Sequence, residues 1–108
     1  EEASHSIMNQ FGIKDSLLKE IISILKKYPK VERAYIFGSR ARGDYTKVSD
    51  IDIAVEGQNI ESELLNFIED EFFYLNTALE FDLVNLSQIN KAPLQDNILK
   101  EGVKIYDK

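Results

Sequence analysis

Hydrophobic positions recur along the chain with two different spacings, which predict alternating helices and strands. Between Lys14 and Tyr28, apolar residues recur every three or four positions, as in an amphipathic helix, and Pro29 ends that helix. The same spacing predicts a second helix from about Ile60 to Leu75. The positions predicted to face the core on these helices are Leu17, Leu18, Ile21, Ile22, Leu25, Leu64, Leu65, Ile68, Phe72 and Leu75.

Four other segments have the pattern of strands. Val31–Phe37 is apolar on both sides near its end, which is typical of a central strand. Asp50–Val55 alternates, so that isoleucine and valine lie on one side and both aspartates on the other. Phe81–Leu86 predicts a third strand, and Val103–Tyr106 predicts an edge strand.

The complete order of elements predicts the fold class. Ser87 is predicted to cap a short turn, and Pro93 to open a last helix that ends at Gly102. The result is an α/β (α+β) domain, a mixed sheet of about four strands with helices packed on it. Residues 8–108 are predicted to form this single domain. Residues 1–7 have no periodic pattern and are interpreted as a leader, either artificial or disordered, in which the only histidine, His5, is not expected to be catalytic.

Composition narrows the functional classes. The chain is 44% hydrophobic and 30% charged, and it has no apolar run near the ~20 residues of a membrane helix. It contains no cysteine, which excludes disulfides and thiolate metal sites and is compatible with a cytoplasmic location. Its net charge of −6 argues against direct binding of nucleic acids. A small anionic substrate can still bind where local cations or metal ions neutralise it.

The candidate chemistry begins with two carboxylates. Asp50 and Asp52 are two residues apart on a predicted strand, so their side chains point to one face about 6.5 Å apart. Neighbouring carboxylates raise each other's pKa unless a cation lies between them, and Mg²⁺ prefers oxygen ligands. The alternative is two solvent-facing strand residues. Because aspartate is depleted in strand interiors, the metal site is favoured.

A third acid lies on a predicted neighbouring strand. Asp82 is flanked by apolar residues, and on its own it could be an edge-strand charge or the partner of a buried base. Two-metal phosphoryl-transfer sites need a carboxylate near the nucleophile, which favours Asp82 as a member of the site. Glu80, two residues earlier, is a weaker candidate.

A glycine–serine turn follows the first predicted strand. Gly38 allows a phosphate to approach the backbone closely, and Ser39 can add a hydroxyl donor at the start of a short helix. The pair alone is a common turn signal, so its meaning depends on the acids that follow it.

The loop between the turn and the acids contains cations. Arg40 or Arg42 is favoured as a phosphate-binding residue over Lys47, although each could be a solvated surface residue. Ser49 is either a nucleotide-binding residue or a turn residue before the strand. Phe67, Phe72, Phe73 and Tyr74 are predicted to pack in the core, with any surplus forming a partner-facing patch.

The spaced motif resembles a known superfamily. Gly38-Ser39, ten residues and then Asp50-Ile51-Asp52, with Asp82 on a later strand, is similar to the nucleotidyltransferases related to polymerase beta. The likeness is greatest to the minimal nucleotidyltransferases (MNT), through Gly-Ser-Arg-Ala-Arg-Gly at 38–43 and Ser-Asp-Ile-Asp at 49–52.

The resemblance implies a nucleotidyltransferase palm that binds ATP or another nucleoside triphosphate with two Mg²⁺ ions. It implies that Asp50 and Asp52 hold the metals, and that Asp82 helps to hold the second metal and activates the acceptor hydroxyl. Gly38 and Ser39 would bind the triphosphate.

The resemblance also implies a biological setting. MNT proteins are similar to antitoxins of bacterial or archaeal toxin–antitoxin pairs, which transfer AMP to a tyrosine of a HEPN-domain toxin, so a hetero-oligomer is expected. One alternative is a non-catalytic antitoxin that acts by complex formation alone, but the presence of all three acids favours activity. A second alternative is transfer to a small molecule such as an antibiotic, against which the lack of an added acceptor domain counts.

Overall fold

Helices and strands alternate throughout residues 8–108, the part of the chain that the computed structural model describes. The predicted leader at residues 1–7, with His5, lies outside the described residues. The elements are α1 (Asp15–Lys26), β1 (Val31–Phe37), α2 (Ser39–Arg42), β2 (Ile51–Gly57), α3 (Ser62–Phe73), β3 (Phe81–Asn85), a 3₁₀ turn (Leu86–Gln88), α4 (Ala92–Glu101) and β4 (Val103–Asp107).

The four strands form one mixed sheet in the order β3-β2-β1-β4. β1 pairs antiparallel with both β2 and β4, and β2 pairs parallel with β3. The predicted mixed sheet, the central position of β1 and the edge position of β4 are therefore confirmed. The C-terminal end of β1 meets the N-terminal ends of β2 and β3 at one end of the sheet, which we call the acidic end because Asp52 and Asp82 lie there.

One face of the sheet is covered by α1 and α3. These helices pack their apolar sides on the isoleucines and valines of the central strands, and each fully buried side chain contributes about 1.5–3 kcal/mol by leaving water. The helical residues buried here are Leu17, Ile21, Ile24 and Leu25 of α1 and Ile68 and Phe72 of α3. Ile24 is buried although it was not among the predicted positions, and Ile22 is only partly buried.

The other face has a much smaller apolar cluster. Ala54 of β2, Leu86 of the 3₁₀ turn and Ile98 of α4 are buried together, with Tyr35 and Phe37 packed beside them. α4 reaches only part of this face. A groove of about 190 Å³ remains open between α4 and Gly38.

Several boundaries differ from the sequence prediction for local reasons. β2 begins at Ile51, so Asp50 lies just before the strand. β3 ends at Asn85 because Leu86 starts the 3₁₀ turn, and the Asn85 side chain accepts the Ser87 N–H at 3.1 Å. Asn85 therefore caps this turn, and the predicted role of Ser87 is wrong. Pro93 in the first turn of α4 and Gly102 after its end are as predicted.

The aromatic residues of α3 divide into buried and exposed groups. Phe72 packs against Phe81, with ring centroids 4.8 Å apart. Phe67, Phe73 and Tyr74 are mostly exposed, so core packing is wrong for these three. They are instead the predicted surplus, and their role as a partner-facing patch stays a prediction. None of the helices within residues 8–108 has both the length and the apolar character needed to cross a membrane.

Candidate active site

The sheet register brings two of the predicted acids side by side. Asp52 on β2 pairs with Asp82 on the parallel strand β3, and on its other side it lies opposite Phe37 of β1. Asp50 precedes the strand and is exposed, as is Asp82, whereas Asp52 is half-buried. The acidic end thus has one partly desolvated carboxylate with two accessible ones around it.

This partly buried arrangement of acids changes the pKa of Asp52. Burial, followed by the carboxylates of Asp82 and Asp50, raises the pKa of Asp52 to about 6, and the positive charges of Arg42 and Arg40 oppose this rise. Repulsion of this kind is relieved when a cation binds between the carboxylates.

The acids at this end of the sheet offer the oxygen ligands that Mg²⁺ prefers. Carboxylate oxygens fit this hard ion, which usually keeps several waters and shares phosphate ligands with its substrate. Among residues 8–108, however, no three histidine, cysteine, aspartate or glutamate side chains converge closely enough to enclose a metal ion. The acids therefore fit Mg²⁺ by chemistry and by charge, but they do not form a closed protein cage.

Gly38 lies directly against the Asp52 carboxylate. It has φ 74° and ψ −153°, a conformation that side chains rarely adopt, and a Cβ built at this position would collide with Asp52 Oδ2. Only glycine fits here. A group bound to the Gly38 backbone would therefore also be next to Asp52.

The next two main-chain N–H groups are available for binding. Within the described part of the chain, neither the Ser39 nor the Arg40 N–H has a hydrogen-bond acceptor. The carbonyls of the same turn are hydrogen-bonded and fix its shape. The Arg42 N–H donates to the Gly38 carbonyl at 3.1 Å, and the Gly43 N–H donates to the Ser39 carbonyl at 2.8 Å. Such free donors are suited to an anion.

Arg40 has a role that the sequence did not predict. Its side chain is only 1% exposed and lies over the Tyr45 ring, 5.0 Å from the ring centroid. The guanidinium donates hydrogen bonds to the main-chain carbonyls of Phe11, Gly12, Thr46, Lys47 and Ser49. These bonds satisfy its charge inside the protein and fix the loop that leads to Asp50. The geometry disfavours the predicted contact of this guanidinium with a nucleotide.

Arg42 is the accessible arginine of this loop, and its positive charge lowers the pKa of Asp52. Its side chain is half-exposed and makes long contacts, 3.3 Å to Asp44 and 3.6 Å to Glu101. Exposed ion pairs of this kind are worth little, so the guanidinium can exchange partners when an anion binds. Nucleotide binding by Arg42 stays a prediction.

Ser49 has the features of a turn residue. Its Oγ accepts the Thr46 N–H at 2.9 Å, and its carbonyl accepts two bonds from Arg40. The geometry favours this alternative, and binding of a nucleotide by Ser49 stays untested. The sequence did not predict that Arg40 contacts Phe11, Gly12 and Tyr45. The only local signal is the Phe11-Gly12 pair, which is too common to indicate such a contact.

Comparison with known families adds an independent finding. A family model described as polymerase beta nucleotidyltransferase matches residues 19–108. The protein adenylyltransferase MntA of Thermococcus cleftensis is 36% identical over 96 residues, which cover 82% of this chain and 95% of that protein.

Solved structures share the fold. The crystal structure of a toxin–antitoxin with AMP-PNP aligns with a TM-score of 0.72 at 25% identity, covering 84% of this chain and 73% of that one. A tri-AMPylated Shewanella oneidensis HEPN toxin in complex with its MNT antitoxin aligns with a TM-score of 0.62 at 22% identity, covering 89% and 74%. This last likeness establishes a shared fold.

Proposed function

Because the chain belongs to the polymerase beta nucleotidyltransferase family, we propose that it transfers an adenylyl group from ATP to a hydroxyl of a partner protein. The acceptor is a tyrosine of a HEPN-domain toxin, which makes this chain the antitoxin of the pair. The proposal is supported by the MntA relative, which is named a protein adenylyltransferase, and by the toxin–antitoxin structures of the same fold. ATP as the donor is in keeping with a cytoplasmic location.

One observation carries the proposal: Gly38, Asp52 and Asp82 are adjacent at the open acidic end. A triphosphate bound to the backbone of Gly38 and Ser39 would place its α-phosphate beside both acids. Asp50, Asp52 and Asp82 would hold Mg²⁺ there. When bound, the ions supply charge stabilisation to the attacking and leaving oxygens of an in-line displacement.

The remaining steps belong to the side chains of this protein. The acceptor oxygen forms a bond to the α-phosphorus as the bond to pyrophosphate breaks, and the hydroxyl proton passes to the Asp82 carboxylate. Arg42 neutralises the phosphate charge, while Arg40 holds the loop before Asp50 in place.

A second candidate function is binding without catalysis. It requires only complex formation, which the toxin–antitoxin structure of the same fold shows for its own chains. Under this alternative the protein blocks its toxin by complex formation, and Asp50, Asp52 and Asp82 are not used.

Two differently labelled ATP molecules test the proposal. We expect the product of the neighbouring gene, the candidate HEPN-domain toxin, to acquire label from ATP labelled at the α-phosphate and none from ATP labelled at the γ-phosphate. The Asp52→Asn variant is the catalytic control and should transfer neither. Transfer of the γ-label would indicate a kinase, and no transfer with a stable complex would support the binding alternative.

A further inference from the structure

Aromatic side chains at the end of α3 are exposed to solvent and do not pack in the core. Phe67, Phe73 and Tyr74 are 56%, 79% and 83% exposed, and the last two rings meet edge to face with centroids 5.4 Å apart. Phe67 lies apart from this pair, in a groove that it lines with Tyr28, Pro29 and Lys30. Large exposed aromatic residues that lie together are typical of protein interfaces. We call Phe73 and Tyr74 the α3 aromatic surface.

A cavity extends this surface toward the acidic end of the sheet. Its volume is about 570 Å³, and its lining includes Asp70, Phe73, Leu79 and Phe81. Phe81 is the residue before Asp82, and β3 is an edge strand with one unpaired side. Phe81 faces α3, whereas Asp82 faces the opposite side of the sheet beside Asp52, so a partner seated in the cavity would reach Asp82 around the unpaired edge of β3.

The negative charge around the cavity limits which molecules can bind in it. Residues 48–90, which form β2, α3 and β3, contain ten of the 19 acidic residues and none of the 13 basic ones. Glu69, Asp70 and Glu80 line the cavity itself. A second copy of the chain bound through this same surface would bring like charges together, and a nucleic acid would be repelled.

We propose that the acceptor protein docks on the α3 aromatic surface and the adjoining cavity through a basic face. Lysine or arginine side chains of the acceptor would meet the acids, and their apolar stems and cations would pack on the exposed rings. This inference rests on the proposed function, and it names the surface that presents the acceptor hydroxyl to Asp82.

The test measures docking separately from catalysis. The variant Phe73→Ser/Tyr74→Ser removes both rings of the surface. The matched control is Leu99→Ser, which removes a side chain that is 51% exposed on α4. The dissociation constant is measured by calorimetry against the candidate HEPN-domain toxin, the product of the neighbouring gene, together with the KM for ATP and for that protein.

We expect the double variant to raise the dissociation constant and the acceptor KM at least about tenfold, with the KM for ATP unchanged. Leu99→Ser should change neither. The variant Glu69→Lys/Asp70→Lys should weaken binding similarly, and it keeps the proposal testable if the aromatic variant does not fold. Wild-type binding should weaken as salt increases.

Three results would overturn the docking proposal. The first is an unchanged dissociation constant in both variants. The second is weakening by Leu99→Ser to the same extent. The third is a dimer of the free protein that the double variant converts to a monomer. Binding without adenylyl transfer by the wild type would instead contradict the proposed function, since the dissociation constants would still locate the docking surface.

Discussion

The two faces of the sheet differ in what they contribute. The face under α1 and α3 is packed with apolar side chains, and Ile21, Ile51 and Ile53 are fully buried there. The opposite face has only a small cluster around Ala54 and leaves the acidic end open. Adjacent residues of β2 thus serve different purposes. Ile51 and Ile53 hold the fold together, while Asp52 between them carries a charge that the fold does not favour.

Because side chains alternate along β2, the residues that stabilise the fold and the residue proposed for catalysis lie on opposite faces of the same strand. A half-buried carboxylate with two acidic neighbours costs folding free energy, which the packed face offsets. Removing the Asp52 charge should therefore not lower stability, whereas truncating an apolar side chain should lower it, most of all on the packed face.

The largest expected effect is on the acidic face. Asp52→Asn should reduce adenylyl transfer by about 10³-fold, as expected when a group that organises transition-state charge is lost. In the presence of a chelator at pH 7.5, the same variant should be at least as stable as the wild type in urea unfolding. Asp96→Asn, an exposed acid on α4, is the control and should change neither quantity. Full transfer by Asp52→Asn would remove this residue from the mechanism.

The stability difference should depend on pH in a defined direction. The pKa of Asp52 rises from 3.8 to about 6 on folding, so the folded protein takes up this proton more readily than the unfolded chain. Without metal, the wild type should lose stability relative to Asp52→Asn as the pH rises from about 4 to about 6, with no further divergence above. A difference that grows as the pH falls would contradict this prediction.

The next effect compares the cores of the two faces. Ile21→Ala should lower the free energy of unfolding by about 3–5 kcal/mol because it leaves a cavity in the larger core. Ile98→Ala, in the small cluster under α4, should lower it by only about 2 kcal/mol, near the lower limit for such truncations. Urea unfolding measures both. Equal losses would mean that the two clusters are equally well packed.

The smallest expected effects are those of lysine substitutions at Arg40 and Arg42, which should differ in whether they lower stability. Arg40→Lys should cost about 2 kcal/mol of stability, because lysine cannot make the bonds of a buried guanidinium, and it should also lower kcat. Arg42→Lys should change stability by less than about 0.5 kcal/mol and mainly raise the KM for ATP. Unfolding curves and steady-state kinetics of the two variants provide the comparison. The reverse pattern would exchange the roles that we assign to them.

Local pattern was sufficient to predict most of the fold. The helical spacing before Pro29 and the alternation in β2 gave the elements and the face on which Asp52 lies, because both depend on neighbouring residues. Asp82 lies beside Asp52 because β3 pairs parallel with β2 in one particular register. The sequence pattern predicted a mixed sheet but neither the strand order nor this register.

What the sequence did not predict depends on contacts between distant segments. Arg40 bonds to carbonyls of Phe11 and Gly12, 29 and 28 residues away, and its loop position had indicated a phosphate contact instead. Phe73 and Tyr74 have the composition of a core segment, but the turn of the helix directs them to solvent. The closeness of Gly38 to Asp52 likewise appears only when β1 and β2 are paired.

The most direct test of the central claim, that the acidic end transfers AMP to a protein, is the intact mass of the HEPN-domain partner after incubation with this protein, ATP and Mg²⁺. We predict that the mass increases by one or more adenylyl groups, and that the increase is absent with Asp50→Ala/Asp52→Ala. A partner whose mass never changes, although its activity is still blocked, would contradict the claim and leave binding alone as the function.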